Sequence, residues 1–336
     1  MKVPTVCNTF NVGVTPTGVA ITPNGKYAYV ANNNNYGISG ADSVTVLNLH
    51  SGFPKLTITD TSFNQPYTIT IDKCGNRAYV SNSASTTVTI IDIGTNTVAG
   101  VINGFDGPSG VALTPNLAYV NNYGASGGVG SGNGTTVSVV NLQTNTIIAT
   151  IIVGLAPAAL VLSPCFQFLY VINYVNGNPG IGTLSVVSTR TNTVVATILG
   201  FSGPFQIVLS KCGNYAYVSN FGSNNFAPYG TGISVVDLKR YQIVQTITTG
   251  IQPAGLCLST SGKYLYVTNY NTLYAGAEFT NLTPGQGTVS TICLENNKLV
   301  NGTIVVGNSP GNIAYFDDKL YVSNFSSNTV SEICLK

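Results

Sequence analysis

Short apolar runs separated by turn residues recur along the whole chain. In one stretch, residues 204–250, such runs occupy 205–210, 215–218, 232–238 and 243–248, with Gly- or Asn-containing turns and one longer loop between them. Runs of this length, rich in β-branched and aromatic residues, predict four strands joined by hairpins. No segment keeps a helical period over several turns, which argues against repeats that alternate strands with helices.

The phrase Tyr-Val-x-Asn repeats at intervals of 40 to 55 residues, which predicts a solenoid, a propeller or an array. A four-stranded antiparallel sheet has two apolar faces, and radial stacking of such sheets around an axis covers both. The sequence therefore predicts an all-β fold, a seven-bladed β-propeller with four-stranded antiparallel blades. The seven copies end at Asn32, Asn82, Asn122, Asn173, Asn220, Asn269 and Asn324. Seven prolines mark the inner strands: Pro16, Pro66, Pro108, Pro157, Pro204, Pro253 and Pro310.

The two ends of the chain predict how the ring closes. The last repeat stops after a third strand at 329–335, with no fourth strand behind it. Residues 6–13 match the fourth strand of an inner repeat, 147–154. We therefore expect the N-terminal strand to complete the last blade, which removes an open sheet edge. The whole chain, 1–336, is then one domain.

These phrases resemble the YVTN family of seven-bladed β-propeller repeats. The closest local matches are residues 253–269, which contain Tyr-Val-Thr-Asn, and residues 191–198. The resemblance implies the propeller fold along essentially the whole chain. It also implies a setting on archaeal or bacterial cell surfaces, as an adhesion or envelope module. The same fold occurs in lactonases and in cofactor-bearing dehydrogenase subunits, but the family motif is structural and transfers no catalytic residue.

Composition favours an exported or surface-associated protein. Only 7% of the residues are charged, against about 25% in ordinary soluble domains. Asn, Ser, Thr, Gly and Tyr must then supply the polar surface, which suits a cell envelope, a filament or a virion. The numbered chain shows no secretion signal, and no stretch is long and apolar enough to span a membrane.

The predicted topology sorts the charged residues between the two sides of the disc. We call the side with the first-to-second and third-to-fourth strand hairpins the turn face. The side with the second-to-third strand loops and the links between blades is the loop face. All 13 Lys and Arg residues are expected on the turn face, whereas the loop face keeps only acids. The candidate basic surface contains Lys26, Lys73, Arg77, Arg190, Lys211, Lys239, Arg240 and Lys263. Its loop-face counterparts are Asp42, Asp60, Asp106 and Glu278.

This charge asymmetry has two interpretations. The functional one is head-to-tail stacking of copies, or orientation on an anionic surface. The structural one is that lysines favour tight exposed turns. The cations are scattered around a rim without interleaved aromatic platforms, so we expect no nucleic-acid partner.

The long loops of the loop face combine Asn and Gly with aromatic residues, a chemistry typical of binding paratopes. We expect them to contact a neighbouring copy, another surface protein or a glycan. The alternative is that the rings fold back and fix their own loops. The candidate contact residues are Tyr36, Tyr123, Tyr174, Phe226, Tyr229, Tyr270, Tyr274 and Phe279.

Catalytic chemistry is missing from the segments expected to line the axis. Those segments are 18–22, 68–72, 110–114, 159–163, 206–210, 255–259 and 312–316, in which Asp72 is the only acidic, basic or histidine residue. General acid–base catalysis needs a positioned titratable group. The sole histidine, His50, follows a third strand, so a His-rich metal site is excluded. We expect no catalytic residue, no metal and no cofactor.

Seven cysteines are an odd number, so at least one thiol is unpaired within the chain. Cys257 is expected in an inner strand as a core residue. Cys7 and Cys334 fall on adjacent strands of the closing blade, but in a diagonal register, so both a disulfide and two free thiols remain open. Three further cysteines occupy equivalent turn positions: Cys74, Cys165 and Cys212. Cations near Cys74 and Cys212 are expected to favour the thiolate form of these two.

Three functions follow from these observations. The first is a non-enzymatic propeller that assembles or binds a partner through its loop face. The second is a monomeric receptor for a glycan or a protein, which uses the same aromatic loops. The third is a lactonase-like enzyme, which would need ionisable groups at the axis.

Overall fold

The computed structural model describes residues 4–34, 41–125, 132–175, 182–222, 230–271, 286–300 and 302–335. In this part of the chain, seven antiparallel four-stranded blades form a ring, with a single short 3-10 turn at Phe325–Ser327. The seven-bladed all-β propeller predicted from the repeat is thereby confirmed.

Each blade runs from an inner strand at the axis to an outer strand at the rim. Strand β1 (Thr5–Asn11) begins the described chain. Blade 1 contains β2 (Pro16–Ile21), β3 (Tyr27–Asn32), β4 (Ser43–Asn48) and β5 (Phe53–Ile58). Blade 2 contains β6 (Pro66–Ile71), β7 (Arg77–Asn82), β8 (Thr87–Asp92) and β9 (Thr97–Asn103). Blade 3 contains β10 (Pro108–Leu113), β11 (Leu117–Asn122), β12 (Thr136–Asn141) and β13 (Thr146–Ile152).

The remaining blades repeat this order. Blade 4 contains β14 (Pro157–Leu162), β15 (Phe168–Asn173), β16 (Gly182–Ser188) and β17 (Thr193–Phe201). Blade 5 contains β18 (Pro204–Leu209), β19 (Tyr215–Asn220), β20 (Gly232–Asp237) and β21 (Gln242–Thr248). Blade 6 contains β22 (Pro253–Leu258), β23 (Tyr264–Asn269) and β24 (Gln286–Cys293), and its outer position is shared by β25 (Lys298–Leu299) and β26 (Ile304–Asn308). Blade 7 contains β27 (Pro310–Phe316), β28 (Lys319–Asn324) and β29 (Thr329–Cys334).

The N-terminal strand closes the ring as predicted. Strand β1 pairs antiparallel with β29 and becomes the outer strand of blade 7. At the axis, each inner strand packs against the inner strand of the next blade, and β27 packs against β2. Closure therefore joins the two ends of the described chain both at the rim and at the axis.

The hydrophobic core is divided into clusters that lie between successive blades. One cluster joins blades 1 and 2 and contains Tyr29 and Val80; the cluster between blades 7 and 1 contains Tyr321 and Val30. The same rule holds at every interface: the motif Tyr of one blade lies in the same cluster as the motif Val of the next. Adjacent residues of a strand point to opposite faces of the sheet. The motif Tyr of a blade therefore packs against the next blade, and its motif Val packs against the preceding one.

The motif Asn ties three segments of a blade together at the loop face. In blade 6, the Asn269 amide donates to the hydroxyls of Thr288 and Ser290 at 2.9 Å each, and its oxygen accepts from the Gly250 N–H at 3.0 Å. Equivalent amide bonds to β4, β8, β12, β16, β20 and β29 occur in the other blades. The third strand and the preceding blade link are therefore fixed to the second strand.

Candidate functional site

An axial cavity of about 980 Å³ lies at the loop-face end of the ring, between the inner strands of all seven blades. Two positions of the repeat supply its aromatic wall: the residue after the inner-strand proline and the residue after the motif Asn. Pairing of Pro with Asn in each blade, such as Pro204 with Asn220, brings these two positions to the same end of the axis. The rings that line the cavity are Tyr67, Tyr123, Tyr174, Phe205, Phe221, Tyr270 and Phe325.

Four of these rings form a continuous wall across blades 5 to 7. Phe205 stacks on Phe221 with ring centroids 5.2 Å apart, and Phe221 meets the edge of Tyr270 at 5.6 Å. Tyr270 in turn lies 6.4 Å from Phe325. Because these rings contact each other, their orientation is set by the wall itself.

Tyr174 holds blades 4 and 5 together at the edge of the cavity. Its buried hydroxyl donates to the carbonyl oxygen of Gly222 at 3.0 Å. In several blades, a side chain at the variable motif position bonds to an inner-strand carbonyl of the next blade; Ser219, for example, donates to Ala254 at 2.8 Å. Blade 4 carries the apolar Ile172 at that position. Tyr174 therefore supplies a bond to the next blade where the motif lacks a hydroxyl.

The phenols of the opposite wall are held in their neutral form. Burial, together with the neighbouring Tyr123 phenol, raises the pKa of Tyr174 to about 12. Burial also raises the pKa of Tyr67 and of Tyr123, and for Tyr67 the phenols of Tyr123, Tyr270 and Tyr174 add to the effect. Neutral phenols both donate and accept hydrogen bonds, so this wall offers both functions at physiological pH.

Two amides add hydrogen-bonding groups to the cavity. Gln206 and Asn312 both line it. The Gln206 side-chain oxygen accepts from the Ile207 N–H at 3.0 Å, and the Asn312 oxygen accepts from the Ile313 N–H at 2.7 Å. Each amide thus uses its oxygen on its own strand, and its nitrogen is the group that a ligand can engage.

No acidic, basic or histidine side chain of the described residues lines this cavity. The nearby acids fix loops instead: Asp42 accepts from the Gln65 N–H at 2.9 Å, and Asp106 accepts from the Ala125 N–H at 2.8 Å. Burial raises the pKa of Asp42 against the effect of this hydrogen bond. Across the described ranges, no cluster of three or more His, Cys, Asp or Glu residues is arranged to hold a metal ion.

Three of the predicted contact residues meet in the cavity wall: Tyr123, Tyr174 and Tyr270. The other five lie outside the described residues: Tyr36, Phe226, Tyr229, Tyr274 and Phe279. Sequence reasoning missed Tyr67, Phe205, Phe221 and Phe325. The predicted axial segments begin two residues after each proline, whereas each inner strand of the structure begins at the proline itself. The residue directly after the proline was therefore left out of the predicted axis. An aromatic residue directly after the motif Asn in five of seven copies was the signal that identifies most of this wall.

The candidate basic residues lie in or beside hairpins of the turn face. Lys26, Lys73, Lys211 and Lys263 occupy first-to-second strand turns, and Arg77 begins β7. The third-to-fourth strand turns carry Arg190, Lys239 and Arg240.

Some of these cations have partners among the described residues, either in their own blade or in another blade. Lys263 pairs with Glu295 of the same blade at 3.2 Å. Lys73 of blade 2 lies over the Phe166 ring of blade 4, at 4.9 Å from its centroid.

The cysteines fall into three environments. Cys7 and Cys334 form a disulfide with Cα atoms 5.8 Å apart, and a β-bulge between Val6 and Asn8 resolves the diagonal register. Cys257 and Cys293 are only partly exposed, and burial raises the pKa of Cys257.

The three turn cysteines are exposed free thiols: Cys74, Cys165 and Cys212. The pKa of the Cys165 and Cys212 thiols is lowered chiefly by hydrogen bonds from Ser163 and Ser210, respectively. For Cys212 the cause is therefore the serine hydroxyl and not the neighbouring Lys211.

Comparison with known proteins supports the fold. Residues 1–113 match the family described as "Lactonase, 7-bladed beta-propeller". The solved structure of hydrazine synthase from Kuenenia stuttgartiensis superposes with a TM-score of 0.78, at 18% identity, over 96% of both chains. At that identity the likeness concerns the fold alone.

Two proteins of Mycobacterium tuberculosis (strain ATCC 25618 / H37Rv) share shorter segments with the chain. The PE-PGRS family protein PE_PGRS18 is 51% identical over 59 residues, which is 18% of this chain and 13% of that protein. The seven-bladed beta-propeller protein Rv1057 is 35% identical over 106 residues, which is 31% of this chain and 25% of that protein. The matched segments thus span a quarter or less of these relatives. In the part of the chain that the structure covers, no helix has the length and apolar character needed to cross a membrane.

Proposed function

We propose that this seven-bladed β-propeller is a non-enzymatic surface or assembly subunit. It binds its partner, another copy of itself or another surface molecule, through the loop face. The observation that carries this proposal is the aromatic axial cavity, whose described lining contains no charged side chain. Such a wall provides contact area and hydrogen bonds but no group that would transfer a proton near neutral pH.

The two faces support head-to-tail stacking as the first form of assembly. The turn face carries cations such as Lys211 and Arg240, and the loop face carries Asp42, Asp60 and Asp106. Attraction between charges on the facing surfaces of two discs weakens as salt is added, because mobile ions screen it. A stack held in this way should therefore dissociate at high ionic strength.

Light scattering of the purified protein tests the proposal. A single disc has a mass of 35.0 kDa, and stacking gives multiples of it. We expect multiples at low salt that revert to single discs in the loop-face variant Tyr123→Arg and in the turn-face variant Lys211→Glu. A mass of one disc under every condition would overturn self-assembly and leave only another surface molecule as the proposed partner. Partner binding that depends on the turn face alone would overturn the proposal.

A lactonase-like hydrolase is the second candidate, and the family match over residues 1–113 favours it. It requires a nucleophile or a general base at the axis. The described cavity lining offers only tyrosines as titratable groups, and burial raises the pKa of several of them. Hydrolysis of a lactone above the buffer rate separates this candidate from the first.

A further inference from the structure

We infer that the axial cavity binds a neutral saccharide. This inference rests on the proposed function, because it names the ligand class of the same face. The cavity volume of about 980 Å³ lies at the upper end of the roughly 300–1,000 Å³ range of small-molecule sites. It therefore has room for an extended ligand of more than one ring.

The absence of charge in the described lining disfavours ions. An anion would need a cation or a set of converging N–H donors to replace its hydration shell. A cation would need a carboxylate, or ring faces free to surround it. Here Phe205, Phe221 and Tyr270 use their faces and edges on one another, so they form a wall and not a cage.

The two sides of the cavity differ in a way that suits a sugar ring. Blades 5 to 7 present the wall of contacting rings, against which the C–H face of a pyranose can pack. Blades 2 to 4 present the phenols of Tyr67, Tyr123 and Tyr174, which burial keeps neutral. The Tyr174 hydroxyl already donates to Gly222, so a purely apolar ligand would leave the hydroxyls of Tyr67 and Tyr123 without partners, which costs affinity.

The amides complete the match with hydroxyl groups. Gln206 and Asn312 spend their oxygens on Ile207 and Ile313, at 3.0 and 2.7 Å, and no described residue accepts a hydrogen bond from their side-chain nitrogens. A sugar hydroxyl accepts a hydrogen bond from such an NH2 group and donates one to a phenol or a carbonyl. A site built to bond hydroxyls in this way discriminates strongly against analogues that lack them.

Isothermal titration calorimetry with the full-length protein tests the inference. The probes are hexasaccharides of glucose, N-acetylglucosamine, mannose and galactose, with hexagalacturonate as an anionic probe and choline as a cationic one. We expect at least one neutral hexasaccharide to bind more tightly than both charged probes. Failure of all the neutral probes to bind, or tighter binding of choline or hexagalacturonate, overturns the inference.

Three variants connect the binding to the cavity. Phe205→Ala removes one ring of the wall and should weaken binding about tenfold, and Gln206→Leu, which removes the donor at similar size, should do the same. Phe53→Ala is the matched control, because Phe53 is 71% exposed at the start of β5, away from the cavity. Equal binding by all three variants and the wild type would place the sugar elsewhere and overturn the inference. Thermal unfolding of each variant checks that it is folded.

Failure of this inference is distinguishable from failure of the proposed function. If no saccharide binds but Tyr123→Arg still reduces the assembly mass, the loop face is a protein-contact surface and only the saccharide inference falls. If Tyr123→Arg and Phe205→Ala change neither assembly nor any binding, both fall.

Discussion

The Ser323 hydroxyl in the last blade donates a 2.6 Å hydrogen bond to the carbonyl oxygen of Thr17 in the first. The Ser323 hydroxyl oxygen also accepts a hydrogen bond from the backbone N–H of Asn312, a residue that lines the axial cavity. Ser323 is fully buried and occupies the variable position of the Tyr-Val-x-Asn phrase. One side chain thus joins ring closure, blade stacking and the wall of the candidate site.

Replacement of Ser323 should destabilise the ring. Ser323→Ala leaves the carbonyl of Thr17 and the N–H of Asn312, both in half-buried residues, without their side-chain partner, at a cost of about 1–3 kcal/mol in the free energy of unfolding. Urea unfolding followed by circular dichroism measures this loss. The control is Ser51→Ala in an exposed hairpin, which should change the free energy by less than about 0.5 kcal/mol. Equal stability of the two variants would contradict the role assigned to Ser323.

Position 250 requires glycine, because the backbone there lies too close to the motif Asn of blade 6 to leave room for a side chain. A Cβ atom at this position would lie 2.5 Å from the Cγ atom of Asn269, whose oxygen accepts from the Gly250 N–H. Gly250→Ala should therefore cost about 1–3 kcal/mol through overpacking. The matched control is Gly100→Ala in β9, where the nearest atom is 4.0 Å away and the change should be neutral or slightly stabilising.

The Cys7–Cys334 disulfide should stabilise the closed ring by limiting the unfolded chain. Its two cysteines are 327 residues apart, so the bond closes a very long loop in the unfolded state. The double variant Cys7→Ser with Cys334→Ser should lose about 2–5 kcal/mol, mostly through that entropy. Thiol titration of the denatured, unreduced wild type should find five thiols, and seven after reduction. Seven thiols before reduction would show that the bond is absent.

The buried tyrosines should make the fold sensitive to alkali. Burial raises the pKa of Tyr29, Tyr170 and Tyr174 from 10.0 to about 12. Between these values the folded state binds more protons than the unfolded state, so the free energy of unfolding falls as pH rises. The contribution is fully present below about pH 10 and is lost as pH rises through about 12.

Ultraviolet absorbance of tyrosinate follows this behaviour. Exposed tyrosines should ionise first, and the buried set should ionise together with loss of the fold. In urea, all of them should ionise as one group near pH 10. A single phase near pH 10 in the folded protein would contradict the burial described for these residues.

Cys165 and Cys212 should be the most readily alkylated thiols. Hydrogen bonds from Ser163 and Ser210 lower their pKa, which raises the thiolate fraction near neutral pH. Cys257, whose pKa is raised by burial, should react slowest. Mass spectrometry after brief iodoacetamide treatment gives the rates. Ser163→Ala should slow Cys165 and leave Cys212 unchanged; equal slowing of both would contradict a local hydrogen-bond effect.

The repeat in the sequence was sufficient for the fold, because each copy carries its own strands, turns and interface residues. The partners of the motif Asn were not apparent from the phrase: its amide donates to third-strand hydroxyls, as Asn32 does to Ser43 and Thr45. That pattern depends on register between strands, which a local phrase does not encode. The repeat therefore identifies the motif Asn, but it does not predict the third-strand hydroxyls that the Asn amide contacts.

The candidate site was less accessible to sequence reasoning. Tyr123, Tyr174 and Tyr270 were identified as loop aromatics, and the cavity they share with Phe205 and Phe325 was not. Those five residues come from five different blades and meet only because the ring closes. The sequence shows each as one aromatic residue beside a Pro or an Asn, and convergence at an axis is a property of the assembled ring.

The most direct test of the central claim, that the axial cavity binds without catalysing, is lactone hydrolysis by the purified full-length protein. δ-Gluconolactone, a neutral sugar-derived lactone, is followed by proton release with and without added Ca²⁺, Mn²⁺ or Zn²⁺. The account predicts the same rate as buffer alone under every condition. A saturable acceleration that is lost in Gln206→Leu and retained in Phe53→Ala would contradict it and assign the cavity to a hydrolase.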